Sequence, residues 1–123
     1  MRIELEVTGT DLDGMIVTAV EGGINYWAKC REYQRDALED SQRYPEGCSV
    51  QLAERDDEGS PVNPGWHKIN REVMGKGLQV MAVKYPHQLR AFLASGSPGN
   101  YAPDAEVCDV VVQCGIFGEL VYG

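Results

Sequence analysis

Within seven residues, the segment Glu21-Gly22-Gly23-Ile24-Asn25-Tyr26-Trp27 holds a carboxylate, a glycine pair, an amide and two aromatic rings. Glycines let a flat ligand approach the backbone, rings offer a stacking surface, and an amide supplies both donors and an acceptor. Stacking of a base on an aromatic ring is worth ~1–3 kcal/mol, so Tyr26 and Trp27 could anchor a nucleotide. Arg31, further along the same stretch, could meet its phosphate, because a guanidinium binds oxyanions bidentately. The competing reading is structural. Gly22-Gly23 then closes a helix, and Tyr26 and Trp27 alternate across a strand, one in the core and one half-exposed.

A second candidate pair is Asp109 and Gln113, one helical turn apart among apolar neighbours. They face either a pocket or solvent. His67, between Trp66 and Lys68, is the third candidate, since an imidazole titrates near neutrality, but acid–base work needs a partner within reach. The chain has neither G-x-x-x-x-G-K nor G-x-G-x-x-G, and no G-x-S-x-G. Its four cysteines, Cys30, Cys48, Cys108 and Cys114, form no C-x-x-C pair, and His67 and His87 stand twenty residues apart. Neither a metal site nor a cofactor is expected, and the cysteines read as buried, reduced thiols. Binding is therefore expected ahead of catalysis, with Glu21 or His67 the residues on which a small hydrolase or transferase would have to rely.

The elements that must position these groups follow from periodicity. Arg2 to Thr8 alternates and predicts a strand. Thr10 or Asp11 then offers a cap to a helix carrying Leu12, Met15, Ile16, Ala19 and Val20, which Gly22-Gly23 ends in the left-handed conformation. Ile24 to Cys30 predicts a strand, with Asn25 and Trp27 on one face and Tyr26 on the other, while Arg31 to Ser41 extends as strand or short helix. Cys48 to Glu54 alternates, Asp56-Asp57-Glu58-Gly59 turns, and Trp66 to Ile69 returns as a hairpin partner. Asn70 caps a helix with Val73, Met74, Leu78 and Met81 inward. Gly75 and Gly77 within it mark either a weak first turn or a close backbone approach. Pro86 starts a further helix with Leu89, Phe92 and Leu93 inward. Pro103 or Asp104 starts the last one, striped by Val107, Val110, Val111, Cys114 and Phe117, and Leu120 to Tyr122 closes as a short strand. The order β-α-β-β-β-α-α-α-β predicts an α+β fold over residues 1–123, a single domain. In it an antiparallel sheet packs against about three helices, and the first and last helical stripes bury against that sheet.

At 123 residues the chain suits one domain with a core of its own. No apolar run approaches the ~20 residues that cross a bilayer, and the opening Met-Arg-Ile-Glu-Leu-Glu has no signal-peptide character, so a cytoplasmic protein without a membrane partner is expected. Nineteen acidic against eleven basic side chains give a net charge of −8, which argues against direct nucleic-acid binding. The acids concentrate between Arg31 and Glu58, where they form either a solvated surface or a mimic of nucleic-acid phosphates.

Thr18-Ala19-Val20-Glu21-Gly22-Gly23-Ile24-Asn25-Tyr26-Trp27-Ala28, together with Asp109, Gln113 and Phe117-Gly118-Glu119-Leu120-Val121-Tyr122-Gly123, resembles a group of small, mostly phage-encoded proteins. The resemblance lies in stretches towards the two ends of the chain and brings no enzymatic activity. It implies a phage accessory protein that blunts host defence, acting in the host cytoplasm. In that setting the ligand-binding candidates Glu21, Asn25, Tyr26, Trp27, Arg31, Asp109 and Gln113 would sequester a small nucleotide-derived signal. A homo-oligomer with the pocket at a subunit boundary is expected of so small a globule. The alternative is an anti-CRISPR-like inhibitor that blocks a host defence protein through the acidic Arg31–Glu58 surface.

Overall fold

In a computed structural model, residues 6–62 and 65–123 are described. Most of the strand expected over Arg2–Thr8 lies outside them, and residues 6–8 are irregular. Thr8 is the cap of helix α1 (Gly9–Thr18): its hydroxyl accepts the Asp11 N–H, and the Asp11 carboxylate accepts the Thr8 N–H. This reciprocal box satisfies two otherwise orphaned donors, so the helix starts before Thr10 and Asp11 is its N3 partner. The helix then widens into a π-helical turn, Ala19–Gly23, and Ile24 follows at φ −104°. Contrary to expectation, no left-handed glycine ends it. What Gly23 supplies is space: a Cβ there would lie 2.7 Å from the Ala105 carbonyl oxygen.

The expected strand from Ile24 is a turn as far as Trp27, closed by the Trp27 and Ala28 N–H groups donating to the Ile24 carbonyl. Strand β1 (Ala28–Gln34) pairs antiparallel with β2 (Ser49–Glu54), and β2 with β3 (His67–Ile69), in the order β1-β2-β3. A bulge interrupts β1 between Arg31, opposite Gln51, and Gln34, opposite Ser49. Glu32 takes φ 51° there, a conformation that L-residues adopt at a cost. A short 3-10 turn, Asp36–Leu38, follows, so Arg31–Ser41 is strand first and helical turn second.

Asn70 caps α2 (Arg71–Lys84) by accepting the Val73 N–H. Pro86 opens α3 (Pro86–Ala94), where Leu89 and Phe92 are buried and Leu93, expected inside, is exposed. Asp104 caps α4 (Ala105–Phe117), and Gly118 ends it at φ 74°. Antiparallel sheet and four α-helices make the described residues an α+β fold.

Helix α4 is more enclosed than a stripe requires: every residue from Val107 to Gly115 is buried. A helix apolar nearly all round belongs inside, and α2, the π-helical turn, α1 and α3 surround it. Its main support is therefore helical, where a sheet had been expected. Backbones of α2 and α4 touch at two points, Gly77 against the Val111 carbonyl and Gly115 against the Val73 carbonyl, and a Cβ at either would collide. Gly75 faces open space, so close approach explains only one of the two glycines in α2. Leu120–Tyr122 is irregular, not a strand.

Candidate functional site

Asp109 projects from α4 as the centre of a buried polar cluster. One carboxylate oxygen accepts the Tyr26 hydroxyl at 2.6 Å; the other accepts the Trp27 indole N–H at 2.8 Å and the Gln113 amide N–H at 2.9 Å. Two neighbouring residues on a strand could not both reach one carboxylate, since their side chains face opposite ways. The turn at Ile24–Trp27 makes it possible, and it also overturns the expected pairing of Asn25 with Trp27 on one face. Trp27 is buried while Tyr26 is 56% exposed, with only its hydroxyl end drawn into the cluster.

Gln113, fully buried, extends the cluster to the segment after α4. Its amide oxygen accepts the N–H groups of Val121 and Tyr122, and its amide nitrogen also donates to the Tyr122 carbonyl. The amide thus stands in for a neighbouring strand, which is why residues 120–122 need none. The Tyr122 ring stacks on Trp27 at 5.0 Å, its hydroxyl donates to Glu54, and the Leu120 N–H donates to the Tyr85 hydroxyl.

A pocket of about 410 Å³ opens over this cluster. Gly22, Gly23 and Tyr26 form one side, Ala105, Glu106, Asp109 and Val110 of α4 the floor, Gln88 of α3 a corner, and Leu120, Tyr122 and Gly123 the far wall. The volume lies within the ~300–1,000 Å³ range of small-molecule sites. Carboxylates of Glu106 and Asp109 give it a negative lining with no lysine or arginine. Burial, then the hydrogen bond and nearby charge of Asp109, push the Tyr26 phenol up to about 12. At neutral pH it is a protonated donor, and both Asp109 oxygens are engaged. These groups hold shape; proton transfer would break the cluster.

Of the seven residues singled out in the sequence, Tyr26 and Asp109 line the pocket, and Trp27 and Gln113 support it from behind. Glu21, Asn25 and Arg31 do not join them. The Glu21 carboxylate accepts the Tyr33 hydroxyl at 2.8 Å and lies 3.4 Å from Arg35. Asn25 is exposed, and its backbone carbonyl accepts from Arg55. Arg31 is on the sheet, its Nε donating to Gln51 and its guanidinium 3.9 Å from the Trp66 ring centre. His67 sits edge-on to Phe117 and is not among the lining residues. Sequence reasoning missed Gln88, Glu106 and Tyr122. Glu106 had a signal, one turn before Asp109 on the same helix, and Tyr122 stood in the closing stretch that carries the resemblance, whereas Gln88 had none.

All four cysteines are free thiols, three of them buried, and burial pushes Cys108 up to about 12 and Cys114 up to about 11. Of the acidic stretch, Asp36, Glu39, Asp40 and Glu46 precede β2 and Asp56, Asp57 and Glu58 follow it, all exposed. Among the described residues no helix is long and apolar enough to cross a membrane. No protein-family model, curated protein or solved structure matches the chain.

Proposed function

We propose that this protein binds and sequesters a small nucleotide-derived ligand, taking its base into the pocket over Asp109, and that it serves as a phage accessory protein against host defence. The observation that carries the binding reading is the convergence of Gly22-Gly23 and Tyr26 with Asp109, separated by 83 residues between Tyr26 and Asp109, on one pocket. The lining refines the ligand's orientation. Carboxylates without a cation favour the amino and imino edge of a base, which donates hydrogen bonds, and disfavour a phosphate. The phosphate therefore points outward. Exposed Tyr26 and Leu120 at the pocket, with exposed Val121 next in the chain, supply an apolar rim on which a second copy would sit. The phage context rests on the sequence resemblance.

The test is to incubate the folded protein with phage-infected cell extract, wash, denature and read the supernatant by mass spectrometry. The parent should release an intact nucleotide, and Glu106→Gln, an exposed position that leaves the core untouched, should release much less. Release of a chemically altered product would point to an enzyme. Release of nothing by the parent would sink the proposal.

A further inference from the structure

The helices pack against one face of the sheet. Cys30, Val50, Leu52 and Ile69 point into the helical layer, with Val50, Leu52 and Ile69 buried in the core. By register the opposite face presents Lys29, Arg31, Gln51 and Lys68, of which the three cations are exposed. Trp66, just before β3, continues the register beside Ala53, and its contact with Arg31 puts the indole on this outer face. No carboxylate occupies an outward position of the three strands: Glu54 is on the inner side, and Glu32 falls in the bulge opposite Val50. An acidic protein thus places three exposed cations and an aromatic ring at outward positions of one sheet face.

We infer that this outer sheet face binds single-stranded nucleic acid. Three observations support this. Lys29, Arg31 and Lys68 supply charge complementary to a phosphate backbone across the width of the sheet. The Arg31 guanidinium lies on Trp66 and is steadied by Gln51 at 2.8 Å, which leaves its terminal nitrogens and outer plane to meet a phosphate or an unpaired base. Exposed cations spread over a sheet face suit a strand laid across them better than a small molecule, which needs enclosure. Net charge alone predicts no such contact, but charges beyond about 8 Å are largely screened at physiological ionic strength, so the local patch decides. The inference is independent of the pocket, which shares no lining residue with this face.

The test is a titration of the full chain with single-stranded DNA and RNA 12-mers, followed by tryptophan fluorescence and by polarisation of a labelled strand. Trp27 is buried, so quenching reports on Trp66. Saturable binding should weaken at least tenfold in the Lys29→Gln/Lys68→Gln double variant and again in Arg31→Gln. An unchanged melting temperature would show that the variants fold. Three phosphate contacts on a single strand give a slope of about −2 for log K against log salt. No saturable binding at low salt, or binding indifferent to these substitutions, would overturn the proposal. Equal affinity for polyglutamate would overturn it too, assigning the face to an acidic protein partner. A folded double variant that still releases nucleotide in the pocket assay would show the two sites to be separate.

Discussion

Two carboxylates, Asp13 and Asp109, are almost equally hidden, at 1% and 7% exposure, yet they are held in opposite ways. Asp13 faces a cation: Arg71 donates to both its oxygens at 3.0 and 2.7 Å, and the Cys48 N–H adds a third bond at 2.8 Å. Gly47, at φ 89°, leaves the room this pair occupies. Asp109 receives its bonds from a phenol, an indole and an amide, all neutral. A buried charge closed by a cation is satisfied locally and ties α1 to α2. One shared among neutral donors keeps its field, and that field reaches the pocket that Asp109 lines. The first arrangement is architecture; the second is architecture with an opening.

If that contrast is right, the largest loss comes from Asp13→Ala. Removing one partner of a buried ion pair strands the other, at about 3–5 kcal/mol, read as a lower urea midpoint. Asp109→Asn should cost less, about 1–3 kcal/mol, because one amide oxygen cannot serve donors that approach both sides of the carboxylate. A loss from Asp109→Asn equal to that of Asp13→Ala would break the comparison. The smallest effect belongs to Tyr26→Phe, about 0.5–1.5 kcal/mol for one hydrogen bond. It sharpens the comparison through pH. The Tyr26 phenol titrates near 12 folded against about 10 unfolded, so its contribution is complete below pH 10 and disappears as pH rises towards 12. Denaturant midpoints of the parent should begin to fall above about pH 9, where the four thiols raised by burial ionise first in the unfolded chain, and fall more steeply above about pH 10. Tyr26→Phe should fall less steeply, though not flatten, since Tyr33 and Tyr122 are also raised by burial and by Glu21 and Glu54. Identical alkaline slopes would remove Tyr26 from the cluster.

The helices were legible because their signals are local. Asn70 and Asp104 as caps, Pro86 at a first turn and Gly118 as a left-handed stop all act within a few residues of themselves. The Cys48–Glu54 alternation and its return at Trp66–Ile69 were legible for the same reason. Ile24–Trp27 misled because β-branched and aromatic residues suit strands, while the partner that holds them in a turn, Asp109, lies 82 residues beyond Trp27. Asp13 carried a faint mark, an acid lodged beside the apolar positions Leu12 and Ile16, but Arg71 is 58 residues away. Residues 120–122 read as a strand, but what takes up their Val121 and Tyr122 N–H groups is a glutamine side chain.

The glycine contacts between α2 and α4 also set a hierarchy in time. At Gly77 and Gly115 backbone meets backbone, so at these two points no side chain can rearrange to let the helices part by small steps. In a deuterium-exchange measurement the buried amides of Cys108–Cys114 should exchange only on global opening, and the Val121 and Tyr122 amides, tied to one side chain, should exchange faster through a local opening. The pocket therefore joins a floor that lives as long as the fold to a wall that breathes on its own.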